Sequence, residues 1–208
     1  MIIAVDGPTA SGKGTIARAL AAHFGLPHLD SGLLYRAVAR QVALNGGDPA
    51  DPADAEAGAD FPETLLADPI LRTEATGQLA SLVSAHPGVR AKLRQRQQDF
   101  ARQPGGAVID GRDIGTVIAP EAEVKLFVTA SIEVRALRRF LEMRDRGEDV
   151  TLEAIEDDLR QRDERDRTRA TSPLIAADDA LLLDTSEMDA QEAVAEAILL
   201  AGERMRGG

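Results

Sequence analysis

The 208-residue sequence contains no cysteine and no tryptophan, and only three of its 24 basic residues are lysines. Without cysteine the chain can form neither a disulfide bond nor a thiolate metal site. Its three histidines, His23, His28 and His86, are isolated from one another and lack metal-ligand spacing. We therefore expect each histidine to be structural or to lie at the surface.

Long apolar runs are also missing. No stretch reaches 18 consecutive apolar residues, and the first residues already read as a core strand, so we expect no membrane span, no signal peptide and a cytoplasmic location. The formal net charge of -11 disfavours nonspecific binding to nucleic acid or to anionic membranes. An enzyme for anionic substrates must then concentrate its positive charge locally.

Short apolar runs alternate with helical patterns along the chain, which is typical of a parallel α/β sheet. The predicted strands cover residues 2–5, 27–29, 107–109, 124–128 and 180–183. Polar groups follow most of these strands, and ligands of such sheets bind beyond the carboxyl ends of the strands. The pattern thus predicts a polar site on one edge of the sheet.

A glycine-rich loop joins the first strand to a helix that we expect to end near Phe24, before Gly25. The loop fits G-x-x-x-x-G-K, a pattern whose backbone N–H groups and helix N-terminus bind phosphate. It consists of Gly7, Pro8, Thr9, Ala10, Ser11, Gly12, Lys13, Gly14 and Thr15. We expect Lys13 to reach the outer phosphates of a nucleoside triphosphate and Thr15 to supply the hydroxyl for a magnesium ion. The alternative is a glycine-rich turn without a ligand.

The third strand leads into Asp110, Arg112 and Asp113. A carboxylate directly after a strand and near a phosphate loop is placed to hold Mg²⁺, directly or through water, which predicts that role for Asp110. The planar guanidinium of Arg112 suits an oxyanion, and we expect its two flanking carboxylates to fix its direction. The alternative is a tight glycine turn held by an internal ion pair.

The segment from Ser131 to Arg169 contains ten arginines and twelve acidic residues. Gly147 divides it into two helical pieces, and we expect it to have little apolar surface of its own. In a phosphotransferase such a hairpin is a candidate lid that brings arginines onto the transferring phosphate and excludes water. The alternative is a solvated, salt-bridged helix pair.

Residues 46–69 carry seven acidic residues and several prolines but no lysine or arginine. This composition predicts a loop or a poorly ordered connector with a solvated charged face. A helix pair follows, at about residues 73–85 and 89–102. A last amphipathic helix is predicted over residues 188–205, with a packing role only.

A phosphate loop, strand-end acids and separated arginines together indicate phosphoryl transfer, which depends on positioning and charge neutralisation. Three further motifs accompany the loop: Asp30-Ser31-Gly32-x-x-Tyr35-Arg36, Asp110-Gly111-Arg112-Asp113, and Arg162-Asp163-x-Arg165-Asp166-Arg167-x-Arg169. With them, nearly the whole chain closely resembles the cytidylate kinases of bacteria, a family of nucleoside monophosphate kinases.

The resemblance implies transfer of the γ-phosphate of ATP to CMP or dCMP, with Mg²⁺, by a monomer. It implies a single P-loop kinase domain over residues 1–208, with a five-stranded parallel sheet flanked by helices. The core would comprise residues 1–36, 107–130 and 171–208, the monophosphate-binding subdomain residues 37–103, and the lid residues 131–170. Nucleotides would be its partners, with no nucleic acid and no membrane.

The resemblance also implies roles for individual residues. Ser31, Arg36 and Arg112 would contact the CMP phosphate and its surroundings, with Asp110 beside them. Ser81, Arg90 and Asp113 match positions that recognise cytosine. Arg162, Asp166 and Arg169 match residues near the lid that contact the sugar and phosphates. Arg138 and Arg139 are the finger candidates on the lid, and Lys13, Arg112 and Arg162 complete the expected catalytic set.

One departure from the family is expected. Members usually have a longer insert after the Tyr-Arg helix, with a small antiparallel sheet, whereas residues 46–72 are short and acidic here. The monophosphate subdomain should then reduce to helices and a loop, which bears on its closure over CMP and on base preference.

Other functions stay open on the sequence alone. One is a P-loop kinase for UMP, AMP or a metabolite hydroxyl. Another is a regulatory protein that hydrolyses or holds ATP or GTP, although an N-K-x-D guanine signature is absent. An inactive scaffold is hard to reconcile with the intact loop.

Overall fold

The computed structural model describes residues 1–207, which divide into two compact units. One unit joins Met1–Leu29 to the chain from Ala101 onward, and the other is Asp30–Phe100. Among the described helices, none combines the length and the apolar character needed to cross a bilayer.

The first unit is built on a five-stranded parallel sheet, as predicted. Its strands are β1 (Ile2–Asp6), β2 (His28–Asp30), β3 (Ala107–Gly111), β4 (Val124–Thr129) and β5 (Leu181–Asp184), in the order β2-β3-β1-β4-β5. β1 is central, and its register pairs Asp6 with Gly111 on one side and with Phe127 on the other. The polar ends of these neighbouring strands therefore meet at one edge.

Apolar side chains of the central strands form the core with two helices, α1 (Lys13–Phe24) and α8 (Ala190–Gly207). Ile3 and Val5 of β1 are fully buried, and each such side chain contributes about 1.5–3 kcal/mol to stability. Gly25 ends α1 with φ of 66°, in the left-handed conformation expected of a glycine cap. The sheet and α1 thus hold the glycine loop between two rigid elements.

A helical hairpin follows β4 in the same unit. It consists of α6 (Ile132–Asp145) and α7 (Leu152–Thr168), with Gly147 in the turn at φ of 77°. The hairpin has more apolar surface than expected, because it contains its own hydrophobic cluster, formed by Ala136, Met143, Ile155 and Leu159. The two-helix prediction is confirmed, and the cluster explains why the helices pair.

The second unit is helical. It contains α2 (Ser31–Leu44), α3 (Pro52–Gly58), α4 (Glu74–Val83) and α5 (Pro87–Ala101), the last of which ends one residue beyond the unit. Two 3₁₀ turns, Glu63–Ala67 and Pro69–Arg72, lie between α3 and α4. Asp30 caps α2 by accepting a hydrogen bond from the backbone N–H of Leu33.

The prediction of a loop over residues 46–69 was wrong. The Asp51 side chain accepts hydrogen bonds from Ala53 N and Asp54 N and starts α3, with Pro52 at the first helical position. A Cβ built on Gly58 would lie 2.5 Å from Val42 Cγ2, so α3 packs tightly on α2. The acidic run is also partly paired, since Asp60 bonds Lys92 at 2.7 Å and Asp68 bonds Arg40 at 3.3 Å.

Candidate active site

The glycine loop curls closely over the end of the sheet. A Cβ on Gly7 would lie 2.1 Å from the Val128 carbonyl oxygen, so no other residue fits there. Ala10 adopts φ of 62°, and Gly12, the residue before α1, adopts φ of 89°. Lys13 Nζ donates to the Pro8 carbonyl oxygen across the loop at 3.4 Å. The loop therefore has the curled shape that gathers backbone N–H groups at a helix N-terminus.

A carboxylate and a hydroxyl lie beside the start of α1. Asp110 Oδ2 is 3.7 Å from a Cβ built on Gly14, and the next residue, Thr15, accepts a hydrogen bond from Arg18 Nη2 at 3.3 Å. The other carboxylate oxygen of Asp110 lies 2.7 Å from His28 Nε2. His28 therefore contacts the carboxylate that follows β3. No cluster of three acidic or imidazole groups suited to a metal occurs within residues 1–207.

Arg112 is held by a residue of α7, by a residue of the glycine loop and by the carbonyl oxygen of the preceding Gly111, to which its Nη1 donates at 3.2 Å. Its Nε donates to Asp166 Oδ2 at 2.8 Å and its Nη2 donates to Thr9 Oγ1 at 2.8 Å. Burial alone would lower the pKa of Arg112, but Asp166 and the nearby carboxylates outweigh burial and raise it. Burial likewise opposes ionisation of Asp166, yet Arg112 and its neighbours hold the pKa of that carboxyl below its usual value. Asp110 is among the nearby carboxylates that act on Arg112, so a role for its flanking carboxylates in orienting it stays a prediction.

A second arginine, which the sequence did not single out, contacts the same loop residue. Arg135 of α6 donates to the Thr9 carbonyl oxygen at 3.1 Å and forms a bidentate pair with Asp163 of α7, with distances of 3.2 and 2.6 Å. Its own helix start supplies a further acceptor, Ala130 O at 3.0 Å. Nothing in the local sequence distinguishes Arg135 from the nine other arginines of the hairpin.

Asp6 supports the turn that follows Arg112. Its carboxylate accepts hydrogen bonds from the backbone N–H groups of Ile114 and Gly115 at 2.9 and 2.8 Å. These donors begin a π-helical turn, Ile114–Ile118, which the sequence did not predict. Burial raises the pKa of Asp6 to about 7, although both backbone donors oppose the shift.

A cavity of about 430 Å³ opens next to the glycine loop. Ala10, Gly12, Arg138 and Thr185 are among its lining residues. Arg138 donates to Thr185 Oγ1 at 3.0 Å and to Thr185 O at 2.7 Å, whereas Arg139 pairs with Glu142 at 2.6 Å. Thr185 was missed as a site residue, although it follows β5 at the polar strand edge.

Ser11 belongs to the loop and is among the residues around this cavity, and its hydroxyl is fully buried. It has no hydrogen-bond partner within residues 1–207. A buried hydroxyl without a hydrogen-bond partner costs free energy, and this one lies inside the loop, 3.2 Å from a Cβ built on Gly7.

The remaining hairpin residues of the predicted set are buried with Arg112. Arg162 and Asp166 are buried on α7, and Asp113 is buried beside Arg112 in sequence. Arg169 follows α7, donates through Nε to Ser172 O at 2.5 Å and lies 3.6 Å from Asp166 Oδ1 through Nη1. The structure therefore gathers the third motif around Asp166.

Within the second unit, Arg36 is anchored by the start of α4. Its Nη1 donates to Leu71 O at 2.7 Å and to Thr73 O at 2.8 Å. A Cβ on Gly77 would lie 2.6 Å from Arg36 Nη2, so the guanidinium lies against a glycine. This placement depends on Gly77, which the sequence did not flag.

Ser81 and Arg90 belong to one buried polar network of the second unit. The Ser84 hydroxyl donates to Ser81 O at 3.0 Å, and Arg90 Nη1 donates to Ser84 O at 3.2 Å. The Arg90 guanidinium carbon lies 5.5 Å from the centre of the Tyr35 ring, within the range of a cation–π contact. Ser31 is buried at the start of α2, and the buried Ser81 hydroxyl has no hydrogen-bond partner among the described residues.

Comparison with known proteins gives a consistent result. A family model described as Cytidylate kinase matches residues 3–203. A cytidylate kinase of Xanthobacter autotrophicus is 56% identical over 207 residues, covering 100% of both chains, and one of Methylocella silvestris is 52% identical over 217 residues, covering 100% of this chain and 98% of that protein. A solved structure of an uncharacterized protein from Eubacterium ventriosum shares the fold, with a TM-score of 0.59, 16% identity and 98% coverage of both chains.

The matches to both relatives run over the whole of this chain. Together with a family model that spans nearly every residue and the phosphate loop, strand-end acids and arginines described above, these matches show that the chain belongs to the cytidylate kinase family.

Proposed function

We propose that this protein transfers the γ-phosphate of ATP to CMP or dCMP and releases ADP with CDP or dCDP. Membership of the cytidylate kinase family carries this conclusion, and the curled loop with Lys13 at the start of α1 supports it. The proposal rejects a regulatory nucleotide switch, because the family model and the full-length relatives are cytidylate kinases. It also rejects UMP and AMP as main acceptors.

The donor nucleotide would bind at the first unit. The N–H groups of residues 7–15 and Lys13 would hold the β- and γ-phosphates. The nucleoside would occupy the cavity that Arg138 and Thr185 line. Arg139, on the same side of α6, would approach the phosphates once Glu142 releases it.

Magnesium would bind between the loop and β3. The Asp110 carboxylate lies beside Gly14, and the Thr15 hydroxyl belongs to the next residue. Both are hard oxygen donors, and Mg²⁺ is commonly held by one or two such groups, waters and substrate phosphates. The ion would supply charge neutralisation of the phosphates. Asp110 would keep its orientation through His28.

The acceptor nucleotide would bind at residues of the second unit. Arg36 and Ser31 would contact the CMP phosphate, while Ser81 and Arg90 would recognise the base. Asp113, from the first unit, would accept from the cytosine amino group. The phosphate oxygen of CMP attacks without needing a general base, so the protein's part is positioning and charge stabilisation.

The hairpin of α6 and α7 would act as the lid. Its internal hydrophobic cluster lets it move as one piece, and Arg162 and Arg169 would bring positive charge to the phosphates and sugar. Arg112, held by Asp166, would face the phosphate loop through Thr9. We propose that the protein does this as a monomer.

The first experiment measures ADP release from Mg²⁺-ATP with CMP, dCMP, UMP, AMP, GMP or no acceptor. Release with CMP and dCMP alone is the expected result. Equal activity with UMP and AMP would remove the base specificity, and release without any acceptor would indicate an ATPase or a nucleotide switch. Protection against unfolding by GTP but not by ATP would favour the switch.

The Lys13→Ala variant tests the loop assignment. We expect turnover to vanish while the far-ultraviolet circular dichroism spectrum is unchanged, because the lysine supplies charge and little packing. Lys92→Ala is the matched control, since Lys92 forms an exposed pair with Asp60 and should leave activity unchanged. Near-normal activity of Lys13→Ala would contradict the phosphate-loop role.

A further inference from the structure

Arg135 lies where α6, α7 and the glycine loop meet in the first unit. Its side chain is only 6% exposed and that of Asp163 15% exposed, so the pair is largely removed from water. Its Nε donates a hydrogen bond to Ala130 O, and its two terminal nitrogens donate to Asp163 and to Thr9 O. The planar fork of an arginine can satisfy these acceptors together, whereas a lysine ammonium is a point charge without that geometry.

Thr9 is held from two sides by this arrangement. Its carbonyl oxygen accepts from Arg135 and its hydroxyl accepts from Arg112. The carboxylates that hold these two arginines, Asp163 and Asp166, are three residues apart and so share one face of α7. One face of the hairpin therefore determines the position of a loop residue through two guanidinium groups.

The residue after Thr9 explains why such support is needed. Ala10 has φ of 62°, a left-handed conformation that costs energy for a residue with a Cβ and persists only when its surroundings impose it. The peptide group between Thr9 and Ala10 contains the oxygen to which Arg135 donates. Fixing this oxygen fixes the orientation of the strained peptide and of the N–H groups that follow it in the loop.

We propose that Arg135, oriented by Asp163, is a positioning residue that preorganises the glycine loop for the β-phosphate of the donor nucleotide. The proposal rests on the proposed function, in which this loop binds ATP. Arg135 acts through Thr9 and touches no reacting atom. The loop holds the β-phosphate, which ADP and ATP share. Replacing Arg135 should therefore weaken the binding of ADP and of ATP alike and leave the binding of the acceptor nucleotide unchanged.

The test uses the full-length protein and measures Kd for Mg²⁺-ATP and Mg²⁺-ADP by isothermal titration calorimetry without acceptor. For Arg135→Lys we expect at least a tenfold rise in both Kd values. At saturating ATP, kcat should stay within threefold and KM for CMP within twofold. Arg160→Lys is the matched control, because Arg160 forms an exposed pair with Glu156 on α7 and should leave all four constants unchanged.

A second variant keeps the test decisive. Asp163→Asn should raise Kd for Mg²⁺-ATP and Mg²⁺-ADP to a similar extent. The double variant should bind no more weakly than Arg135→Lys alone, because both changes disrupt the same pair of Arg135 and Asp163. A loss confined to ATP, or a fall in kcat with unchanged Kd, would overturn the proposal and make Arg135 a direct phosphate contact. Unchanged affinities in both variants would overturn it as well.

The outcome is separable from the proposed function. If wild-type protein binds Mg²⁺-ATP but phosphorylates no CMP, the proposed function fails while the Kd comparison still decides the role of Arg135. If CMP is phosphorylated normally by both variants with wild-type constants for ATP, only the role of Arg135 fails.

Discussion

Replacing Asp6 by asparagine should remove a pH dependence of stability that this one carboxyl group causes. Burial raises the pKa of Asp6 from 3.8 to about 7, so between these values the folded state binds a proton that the unfolded state has lost. Stability therefore falls as pH rises through that window and is level above it. A shift of about three units corresponds to about 4 kcal/mol in total.

The measurable part lies between pH 5 and pH 8. With a folded pKa of about 7, the free energy of unfolding of the wild type should fall by about 2.5 kcal/mol relative to Asp6→Asn over this range. The gap between the urea unfolding midpoints of the wild type and Asp6→Asn should therefore change by about 1 M from pH 5 to pH 8. Asparagine loses one of the two backbone hydrogen bonds from Ile114 and Gly115, but that cost is independent of pH and cancels in the comparison.

Urea unfolding followed by circular dichroism at both pH values provides the assay, and subtraction removes titrations that both proteins share. Asp184→Asn is the matched control, because a hydrogen bond from Ser186 lowers the pKa of this exposed carboxyl and places its titration below pH 5. The difference in free energy of unfolding between Asp184→Asn and the wild type should be constant from pH 5 to pH 8. If the difference in free energy of unfolding between Asp6→Asn and the wild type were also constant over this range, the raised pKa of Asp6 would be refuted.

Three further predictions concern the acceptor side and the buried ion pair. Gly77→Ala should displace the Arg36 guanidinium and raise KM for CMP by at least about tenfold, because hydrogen bonds to charged groups contribute about 1.5–3 kcal/mol. Gly202→Ala is the control and should leave kcat and KM unchanged. Asp113→Ala should raise KM for CMP far more than KM for ATP, and equal effects would remove its base-reading role. Asp166→Asn should lower the free energy of unfolding at pH 7 by about 3 kcal/mol. Because the folded pKa of Asp166 is lowered, this difference should hold from pH 5 to pH 8 and shrink only as pH falls below about 4, as urea midpoints would show.

The parts of the fold that local sequence determines were predictable. Short apolar runs between glycines and caps gave all five strands to within two residues, and Gly25 marked the end of α1. The acidic segment was misjudged because an Asp-Pro pair can begin a helix as well as occupy a loop. Only the packing of Ala55 and Gly58 against α2 decides between the two, and that packing is tertiary.

The site was predictable where a motif names its residues and not where a partner is distant. The glycine loop, Asp110 and Arg112 stand out from their neighbours in sequence. Arg112 pairs with Asp166 of α7, 54 residues further along the chain, and Arg135 contacts Thr9, which is 126 residues earlier in the chain. No spacing rule links such pairs, so neither contact could be predicted from the sequence.

The contact between Arg90 and Tyr35 has a practical consequence. Tyr35 is the sole tyrosine of a chain without tryptophan, so intrinsic fluorescence excited in the tyrosine band comes from this one ring. A guanidinium lies against that ring in the unit of residues 30–100. This emission therefore originates in the unit of residues 30–100. Once corrected for light absorbed by the nucleotide, it offers a label-free signal for titrating an acceptor nucleotide against the unmodified protein.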